Sequence, residues 1–332
     1  MKIFISGATS SIGSYVVNFL LEQGHSLNLL VRNSKNCLFI NNPNISIFEG
    51  DLNNKQLLLD AMKDCNQAYH MAAIAKVWLK DPTVFFETNL TGTMNLLHAA
   101  FENKVNKVVV TSTAGVFGPS INSIISESKN REMDFFNEYE SSKALSELKI
   151  KEFVIEKKMD IVIVSPTRVY GPLLHGKPAS TNLLIDKFIN GSWRILPGTG
   201  KEIGNYAYIE DVANGHILAM QNGKSGHTYI LGGENCSYFL FYNKLGQLSQ
   251  INRRMITVPL FFQNIFASIQ LFLAKTAGIE PSITPKWVAK GKYNWEVSSK
   301  KAIEELGYTI TPLEDGLKKT INYLVKTSKL NG

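Results

Sequence analysis

Cysteine is scarce in this chain of 332 residues, and its scarcity excludes two classes of protein. The three cysteines (Cys37, Cys65 and Cys236) lie far apart and form no C-x-x-C pair. This spacing argues against a disulfide framework and against a structural zinc site, and it favours a reducing compartment. The six histidines show no ligand spacing either, so we predict no metal site.

Long uninterrupted apolar runs are also missing. The most apolar stretch, 258–278, is interrupted by Gln263, Asn264 and Gln270, whereas a membrane span needs about 20 mostly apolar residues. We therefore expect an amphipathic helix buried in a lobe, with peripheral membrane contact as the less favoured alternative. The N-terminal stretch MKIFIS enters a strand at once, which predicts no signal peptide and a cytoplasmic protein.

Charge of one sign is not concentrated anywhere in the chain. The 35 Lys and Arg against 28 Asp and Glu give a net charge of +7, but the basic residues are scattered. Without a basic tract, the surplus favours an anionic small molecule as partner and argues against nucleic acid. With 44% hydrophobic residues, the composition is that of a globular protein with a sizeable core.

Short apolar runs alternate with helical periods through residue 165. The runs begin with Ile3–Ile5 and end with Ile161–Ser165, and helical patterns near 54–63, 81–103 and 139–157 separate the later ones. Such alternation predicts an α/β fold with a Rossmann-type, doubly wound parallel sheet. In such sheets ligands bind beyond the carboxyl ends of the strands.

Beyond Pro172 this rhythm breaks into loops, and 237–290 is mostly helical. We predict a dinucleotide-binding domain over 1–172, with 206–232 returning to it. A smaller, mostly helical substrate-binding lobe is predicted over 173–205 and 233–332. The last helix is predicted to begin with Thr311 as N-cap and Pro312 at its first position.

The stretch GATSSIG (7–13) joins the first strand to the first helix. A tight glycine turn there presents backbone N–H groups and a helix N-terminus to a pyrophosphate. The usual fingerprint has three glycines, and here Gly7 and Gly13 remain with Ser10 and Ser11 between them. The serine hydroxyls add groups that can donate to the phosphates, so we expect binding to survive.

The second strand ends in Val31 and Arg32, where NAD sites usually place an acidic residue. A guanidinium matches a phosphate in charge and geometry, so NADP(H) is favoured and NAD(H) remains the alternative. After the third strand, Asp51 is placed to accept from the adenine amino group.

Tyr139 and Lys143 lie four residues apart at the start of a predicted helix, so they share one helical face. The fifth strand ends in TSTAGVFG (111–118), which places Ser112 or Thr113 at the cofactor cleft. A phenol has a pKa of about 10, and a nearby ammonium with an oxidised nicotinamide lowers it toward working pH. The spacing therefore predicts a catalytic pair.

Taken together, these motifs resemble the extended short-chain dehydrogenase/reductase family. The match covers essentially the whole chain and runs, in order, through GATSSIG, GDL, HMAA (70–73), NLTGTMNLLHAA (89–100), STAGVFG, YESSK, PTRVYGP (166–172) and YAYIEDVANG (206–215).

The resemblance implies a role for each matching residue. Thr113 would polarise the substrate oxygen, Tyr139 would exchange its proton, and Lys143 would hold the ribose and tune Tyr139. Asn89 supports a water chain to the lysine in this family, or it is a helix hydrogen-bonding residue. The residues implied to line the cofactor are Gly7, Thr9, Ser10, Ser11, Ile12, Gly13, Arg32, Asp51, Leu52, Ala72, Ala73, Lys143, Pro166 and Val169.

Departures from the family pattern distinguish its branches. Ala114 and Gly115 stand where sugar-nucleotide dehydratases carry an Asp-Glu pair, which disfavours dehydration. Gly204 and Asn205 replace the R-D-F-type stretch whose arginine grips a diphosphate in the epimerases, which weakens a UDP-sugar interpretation. The chain is most similar to the dihydroflavonol-4-reductase-like and 3β-hydroxysteroid-dehydrogenase-like branch. Aromatic and polar residues flank the predicted cleft and are our substrate candidates: Trp78, Phe117, Tyr170, Asn182 and Tyr206, with Trp193 and Tyr208 nearby.

Three functions are compatible with the sequence at this stage. The first is an NADP(H)-dependent oxidoreductase acting on a ketone or secondary alcohol of a fairly apolar molecule. The second is a nucleotide-sugar epimerase that retains its NAD(P), and the third is a non-enzymatic dinucleotide sensor. The retained Tyr139–Lys143 pair favours an enzyme over a sensor. By resemblance, helices at 81–103 and 139–157 would form a homodimer contact.

Overall fold

Short strands and amphipathic helices alternate through the first half of the chain. The computed structural model describes residues 1–196 and 198–330, with side chains described through residue 327. A π-turn at Glu87–Thr91 joins the third and fourth helices of this half. The other elements are β1 (Lys2–Ser6), α1 (Ser11–Glu22), β2 (Ser26–Val31), β3 (Ile45–Glu49), α2 (Lys55–Met62), β4 (Gln67–His70), α3 (Thr83–Phe86), α4 (Gly92–Glu102), β5 (Lys107–Thr111), α5 (Glu138–Lys157) and β6 (Asp160–Pro166).

The second half adds short strands and a group of helices. Its elements are β7 (Arg168–Tyr170), α6 (Ser180–Ile189), β8 (Ile195–Leu196), β9 (Ile203–Tyr208), α7 (Ile209–Asn222), β10 (Thr228–Leu231), β11 (Glu234–Ser237), α8 (Tyr238–Ser249), β12 (Ile256–Thr257), α9 (Leu260–Ala277), α10 (Pro285–Lys290), α11 (Lys300–Leu306) and α12 (Leu313–Leu330).

The main sheet has seven strands in the order β10-β6-β5-β4-β1-β2-β3, and every neighbouring pair is parallel. The strand order reverses direction between β1 and β4, which is the point where doubly wound sheets bind ligands. The predicted Rossmann-type fold class is confirmed.

Alternation along β1 shows how the sheet is buried on both faces. Ile3 and Ile5 pack into one hydrophobic cluster, with residues of α1 and α7. Phe4 points the other way, into a second cluster with residues of α2, α4 and α5. Because side chains alternate across a strand and both faces are covered by helices, apolar residues occupy consecutive positions.

The smaller strands form two further sheets, β11-β9-β7 and β12-β8. A third hydrophobic cluster joins β7 and β9 to α8 and α12 and includes Tyr170, Tyr206, Tyr208 and Phe241. The chain therefore leaves the main sheet after β6, at the edge where ligands are expected, and β7 belongs to a separately packed core.

Residues 258–278 contain the predicted helix, α9, but the prediction that it is buried is wrong. Of the eighteen residues of α9, all of them described, Ala267 and Ala274 are buried. Phe261 and Phe272 are 69% and 65% exposed. The polar interruptions that suggested a buried amphipathic helix face the protein, and the apolar residues face outward.

A search of the described residues finds no helix that is both long and apolar enough to cross a membrane.

Thr311 does not serve as the predicted N-cap of the last helix, because α12 begins at Leu313. Its hydroxyl donates to one carboxylate oxygen of Asp211 at 2.7 Å, and its N–H donates to the other at 2.6 Å. Thr311 therefore fastens α7 to the segment that enters α12.

Candidate active site

The turn between β1 and α1 depends on close backbone approach at two glycines. Gly7 has a φ of +81°, and a Cβ there would lie 2.5 Å from the backbone nitrogen of Ala72. A Cβ on Gly13 would overlap the carbonyl oxygen of Gly7. Both positions therefore exclude a side chain, and the turn brings Gly7 against the end of β4, where Ala72 and Ala73 follow.

Ser10 is the N-cap of α1, and its Oγ accepts from the N–H of Gly13 at 3.0 Å. A hydroxyl that accepts one bond still carries a proton that it can donate. The serine that replaces the middle glycine thus fixes the first turn of α1, and Thr9, Ser11 and Ile12 lie beside it. The predicted donation to a phosphate is compatible with this cap.

A loop that we predicted to belong to the substrate-binding lobe lies across this turn. Gly176 has a φ of +87°, and a Cβ there would lie 2.7 Å from the carbonyl oxygen of Thr9. His175 Nε2 lies 2.6 Å from the carbonyl oxygen of Asn36, so this ring nitrogen carries the proton. The loop after β7 thus packs over the place where we predicted a pyrophosphate. Gly176 is the residue from which this contact could have been predicted in the sequence.

Arg32 is exposed immediately after β2, and Lys35 is exposed three residues later. Glu49, at the end of β3, accepts from the N–H of Ser34 at 3.1 Å, which shapes the loop that carries both cations. Asp51 is exposed, and its Oδ1 accepts from the N–H of Asn53 at 2.8 Å. The strand ends therefore present two cations and a carboxylate side by side at the sheet edge.

Leu52, Pro166 and Val169 lie at the other predicted cofactor positions. Leu52 is buried, and Asn95 donates to its carbonyl at 3.1 Å. Pro166 is the last residue of β6, and Val169 is half-buried in β7. Leu52 thus follows β3, Pro166 ends β6 and Val169 lies three residues beyond it, so each lies at or just past the carboxyl end of a main-sheet strand.

Tyr139 lies in the first turn of α5, whose N-cap is Asn137. The Thr113 side chain lies close enough to its phenol to lower the pKa of Tyr139, and the Thr113 hydroxyl accepts from the N–H of Gly115 at 3.2 Å. The structure therefore pairs Thr113 with Tyr139, whereas Ser112 is buried.

The pKa of Tyr139 is raised from its ordinary value to about 12. Burial is the largest cause, the hydrogen bond from Thr113 opposes it, and the negative charge of Glu140 adds to the rise. The predicted lowering of the pKa of Tyr139 by Lys143 is not found in the protein alone, where burial raises that pKa. The positive nicotinamide that formed part of that prediction is a charge the cofactor would bring.

Lys143 is almost fully buried, and its Nζ donates to the carbonyl oxygen of Thr111 at 2.6 Å. Burial lowers its pKa to about 8, and Glu147 opposes that shift. His216 is hydrogen-bonded to the side chain of the same residue, Thr111, at the end of β5. Its Nδ1–H donates to the Val212 carbonyl at 2.7 Å, so its Nε2 accepts from the Thr111 hydroxyl at 2.8 Å.

A buried hydrogen-bond chain runs beneath the site. The Thr93 hydroxyl donates to the Asn89 carbonyl at 2.7 Å, so it accepts from His70 Nε2–H at 2.8 Å. His70 Nδ1 then accepts from the Ser6 hydroxyl at 2.7 Å. Burial and the charge of Lys143 lower the pKa of His70 to about 3, so the imidazole is neutral. The chain links β1, β4 and α4.

Asn89 lies in the π-turn, and its side chain clamps the loop after β4. Its Oδ1 accepts from the Ile74 N–H at 2.8 Å, and its Nδ2 donates to the Ile74 carbonyl at 3.1 Å and to Ser142 Oγ at 3.0 Å. Of the two interpretations left open by the sequence, these contacts support the hydrogen-bonding one. Single π-turns often mark functional sites.

Glu140 is the functional neighbour that the sequence analysis missed. It is 1% exposed, and its carboxylate binds Arg131 at 3.0 Å and Lys290 at 2.6 Å. Arg131 also donates to the Gly115 carbonyl at 2.6 Å. Glu140 therefore ties α5, α10 and the loop that carries Thr113 together, next to Tyr139.

The predicted substrate residues divide into two groups. Asn182 is buried and hydrogen-bonds both the N–H and the carbonyl of Gly171, at 3.0 and 2.7 Å. Tyr170 donates to the Leu313 carbonyl, and Tyr206 stacks on Phe241 with centroids 4.3 Å apart. These three side chains serve the packing of the lobe. Trp78 and Phe117 are half-buried near the site, Trp193 is half-buried against the third hydrophobic cluster, and Tyr208 is buried.

These residues fit a dinucleotide. A turn in which side chains at Gly7 and Gly13 would collide with backbone is a cradle for a closely approaching phosphate. The exposed Arg32 and Lys35 suit the adenosine end, and the Thr113–Tyr139 pair with Lys143 lies at the same sheet edge. A bound nicotinamide would supply hydride chemistry there.

Comparison with known proteins agrees with this geometry. Residues 3–232 match the model of the NAD dependent epimerase/dehydratase family. A Synechocystis sp. (strain ATCC 27184 / PCC 6803 / Kazusa) protein with the provisional name dihydroflavonol 4-reductase is 29% identical over 326 residues, covering 96% of this chain and 93% of the relative. The Mus musculus sterol-4-alpha-carboxylate 3-dehydrogenase, decarboxylating, is 24% identical over 340 residues, covering 96% and 90%.

Solved structures show the same architecture. The crystal structure of gox2253 superposes with a TM-score of 0.81 at 30% identity and covers 98% of each chain. The UDP-glucose 4-epimerase of Thermotoga maritima, solved with UDP-glucose, gives 0.80 at 21% identity and covers 99% of this chain and 100% of that one. The family-model match and the reductase and dehydrogenase relatives make this chain an NAD(P)-dependent oxidoreductase acting on hydroxyl or keto groups. The chain belongs to the NAD-dependent epimerase/dehydratase family, the extended short-chain dehydrogenases/reductases.

Proposed function

We propose that the protein is an NADP(H)-dependent oxidoreductase that reduces a ketone, or oxidises a secondary alcohol, of a fairly apolar small molecule. The observation that carries this proposal is the placement of Thr113 beside Tyr139, one helical turn before Lys143, whose Nζ is bonded to the end of β5. A carbonyl oxygen placed at these two hydroxyls receives a hydrogen bond from Thr113 and a proton from Tyr139. NADPH, when bound, supplies the hydride.

The charge state of Lys143 influences whether Tyr139 carries its proton. With a pKa lowered to about 8, the ammonium releases its proton close to neutral pH. Positive charge on Nζ favours the phenolate that Tyr139 becomes after donating its proton. Since Nζ is anchored to the Thr111 carbonyl, the charge stays on the tyrosine's helical face.

Arg32 and Lys35 support the choice of NADP(H). Both are exposed at the end of β2, where the adenosine ribose of a dinucleotide lies in this fold. A 2′-phosphate there would face two cations. An acidic residue, the usual partner of an unmodified ribose, is not at this strand end, which is Val31 followed by Arg32.

An apolar substrate is supported by the half-buried aromatic residues near the site and by the relatives. Trp78 lies in the loop that Asn89 clamps, and Phe117 ends the short helix that begins after Thr113. The names of the relatives specify a dihydroflavonol and a sterol carboxylate, both with extended ring systems. Aromatic side chains bind such rings well.

The epimerase alternative has one observation in its favour. A Cβ on Gly204 would overlap Nη1 of Arg168, so the Arg168 guanidinium fills the space where related epimerases carry a diphosphate-binding arginine. Among the described residues Arg168 Nη1 is buried and has no hydrogen-bond partner. A buried guanidinium atom of this kind suits an anionic group on a substrate.

The deciding experiment follows the absorbance of reduced nicotinamide with a panel of apolar ketones and UDP-sugars, using NADPH and NADH in parallel. Wild type is compared with Tyr139→Phe and with the control Tyr323→Phe, which alters a half-buried tyrosine of α12. We expect NADPH oxidation by an apolar ketone, a loss of about 10²–10⁴-fold in Tyr139→Phe, and no loss in the control. Isomerisation of a UDP-sugar without net oxidation would replace the proposal with the epimerase. Equal activity of the two variants would overturn the role of Tyr139.

A further inference from the structure

Helix α9 has the reverse of the polarity expected for a helix on the surface of a protein. Such helices turn their apolar side inward and their polar side to water. Here the large apolar residues face outward. The exposed ones are Phe261, Phe262, Ile265, Phe266, Ile269, Phe272 and Leu273. Single exposed apolar side chains are ordinary, but seven on one helix form a continuous patch, and such a patch marks an interaction site.

The inward side of α9 is small or polar and is fixed by specific contacts. Ala267 and Ala274 are fully buried against the protein. Gln270 Oε1 accepts from the N–H and the hydroxyl of Ser282 at 2.8 and 2.9 Å, and Gln263 Nε2 donates to the Val258 carbonyl at 2.6 Å. These residues recur at helical spacing, so α9 cannot rotate its apolar side inward without breaking them. The protein's own fold leaves the patch uncovered.

Basic residues surround the patch. Between residues 253 and 292 the chain has six Lys or Arg and one acidic residue, Glu280; Lys286 and Lys290 are paired with Glu138 and Glu140, which leaves four basic residues. Arg254 and Lys275 are exposed close to the two ends of α9, and Glu280 is paired with Lys76 at 2.9 Å. The apolar side of α9 is thus bordered by net positive charge, which is complementary to an anionic surface.

The patch lies beside the candidate active site. The Lys76–Glu280 pair connects the end of α9 to the loop that carries Trp78. The next helix, α10, packs on α9 and binds the first turn of α5 through Lys286 and Glu138 at 2.6 Å and through Lys290 and Glu140 at 2.6 Å. A surface that receives α9 would therefore also lie close to the mouth of the cleft at Tyr139.

We propose that α9 lies in the plane of an anionic lipid bilayer, with its phenylalanine side inserted at the boundary between headgroups and acyl chains. An in-plane helix needs an apolar side rich in Phe and Leu and flanking Lys or Arg, both of which α9 has. Its eighteen residues extend over about 27 Å parallel to the surface. None of the described helices can cross a bilayer, so the contact is peripheral.

A second copy of the chain is the less favoured occupant. A different surface suits self-association, since α5 exposes Leu148 and Ile155 on the helix that the family resemblance assigns to a homodimer. The border of the α9 patch is basic, so two copies meeting there would bring like charges together. An anionic lipid surface avoids this repulsion between like charges.

The test is sedimentation of the full chain with vesicles of phosphatidylcholine containing phosphatidylglycerol, and with vesicles of phosphatidylcholine alone. The test variant is Phe262→Ser/Phe266→Ser. The control is Leu38→Ser/Ile303→Ser, which removes two residues of similar exposure (58% and 46%) from other surfaces. Urea unfolding of each variant shows that it is folded, and this readout involves neither turnover nor cofactor, so the result does not depend on the proposed function.

We expect wild type and control to sediment with the anionic vesicles and to be released by high salt, because screening removes the attraction between charges. The phenylalanine variant should bind about tenfold less tightly or worse, since each lost ring removes a large apolar contact. Wild type remaining in the supernatant with both vesicle types would overturn the proposal. So would a dimer, measured by light scattering without lipid, that the phenylalanine variant alone abolishes.

Discussion

Lys143 gives the folded protein a dependence on pH that can be worked out in advance. Its side chain is 1% exposed, and burial lowers its pKa from 10.5 to about 8. Below pH 8 both the folded and the unfolded chain hold the proton, and the cost of burying the ammonium is present in full. Between these pKa values the unfolded chain binds the proton that the folded chain has released, so the free energy of unfolding rises with pH.

The size of this rise follows from the shift. One pKa unit corresponds to about 1.4 kcal/mol, so the interval from pH 8 to pH 10.5 gives about 3 kcal/mol. No discount for solvent screening is needed because the group is buried. Above pH 10.5 both states have lost the proton, and the rise ends.

Urea unfolding of wild type, Lys143→Met and Lys149→Met at several pH values measures this rise. Lys149 lies on the same helix but is exposed and paired with Glu152, so it serves as the control. Other groups that titrate at high pH cancel when each variant is subtracted from wild type. We expect the difference for Lys143→Met to shift by about 3 kcal/mol in favour of wild type, and that for Lys149→Met to stay within about 0.5 kcal/mol. A difference for Lys143→Met that does not change with pH would refute the lowered pKa.

Three further changes test the site at other points. Glu140→Gln removes the carboxylate from two partly buried cations and should lower the free energy of unfolding by about 3–5 kcal/mol. Adding Lys290→Met should recover part of that loss, as measured by urea unfolding. No recovery would contradict the pairing. Gly13→Ala places a Cβ on a backbone carbonyl of the nucleotide turn and should weaken NADPH binding, measured by calorimetry, by about tenfold or more; unchanged affinity would mean that the turn does not hold the phosphates. Arg32→Ala should raise the KM for NADPH by about ten- to a hundredfold and leave that for NADH unchanged; an equal effect on both would assign Arg32 another role.

The parts of the structure that the sequence predicts well are those governed by local rules. Short apolar runs and period-3.6 patterns locate the strands and helices of the first half, because strands buried on both faces are apolar throughout and helices are apolar on one side. Gly7 is predictable from its position after β1, since a turn with positive φ and a neighbouring strand end leaves room for no side chain. The Tyr139–Lys143 pair is predictable because four residues make one helical face.

The parts that escape prediction depend on partners far away in the chain. Glu140 looks like an exposed helical glutamate in the sequence, and its burial becomes evident only when Lys290, 150 residues later, is placed beside it. The same holds for Gly176, which joins the loop after β7 to the turn after β1 at Thr9. The orientation of α9 was predicted the wrong way round, because the apolar face of a helix implies an apolar partner without saying whether the protein itself supplies it.

The ion pairs between α10 and α5 make the position of the candidate catalytic tyrosine depend on both halves of the molecule. Tyr139 lies between Glu138 and Glu140, and each of these carboxylates binds a lysine of α10 at 2.6 Å. Lys143, one turn later, is instead anchored to the Thr111 carbonyl at the edge of the main sheet. A displacement of α10 would therefore pull on both neighbours of the tyrosine while the lysine stayed with the sheet. The separation of phenol and ammonium is set jointly by α10 and the main sheet, so the four-residue spacing in the sequence is necessary for the site but does not by itself fix its geometry.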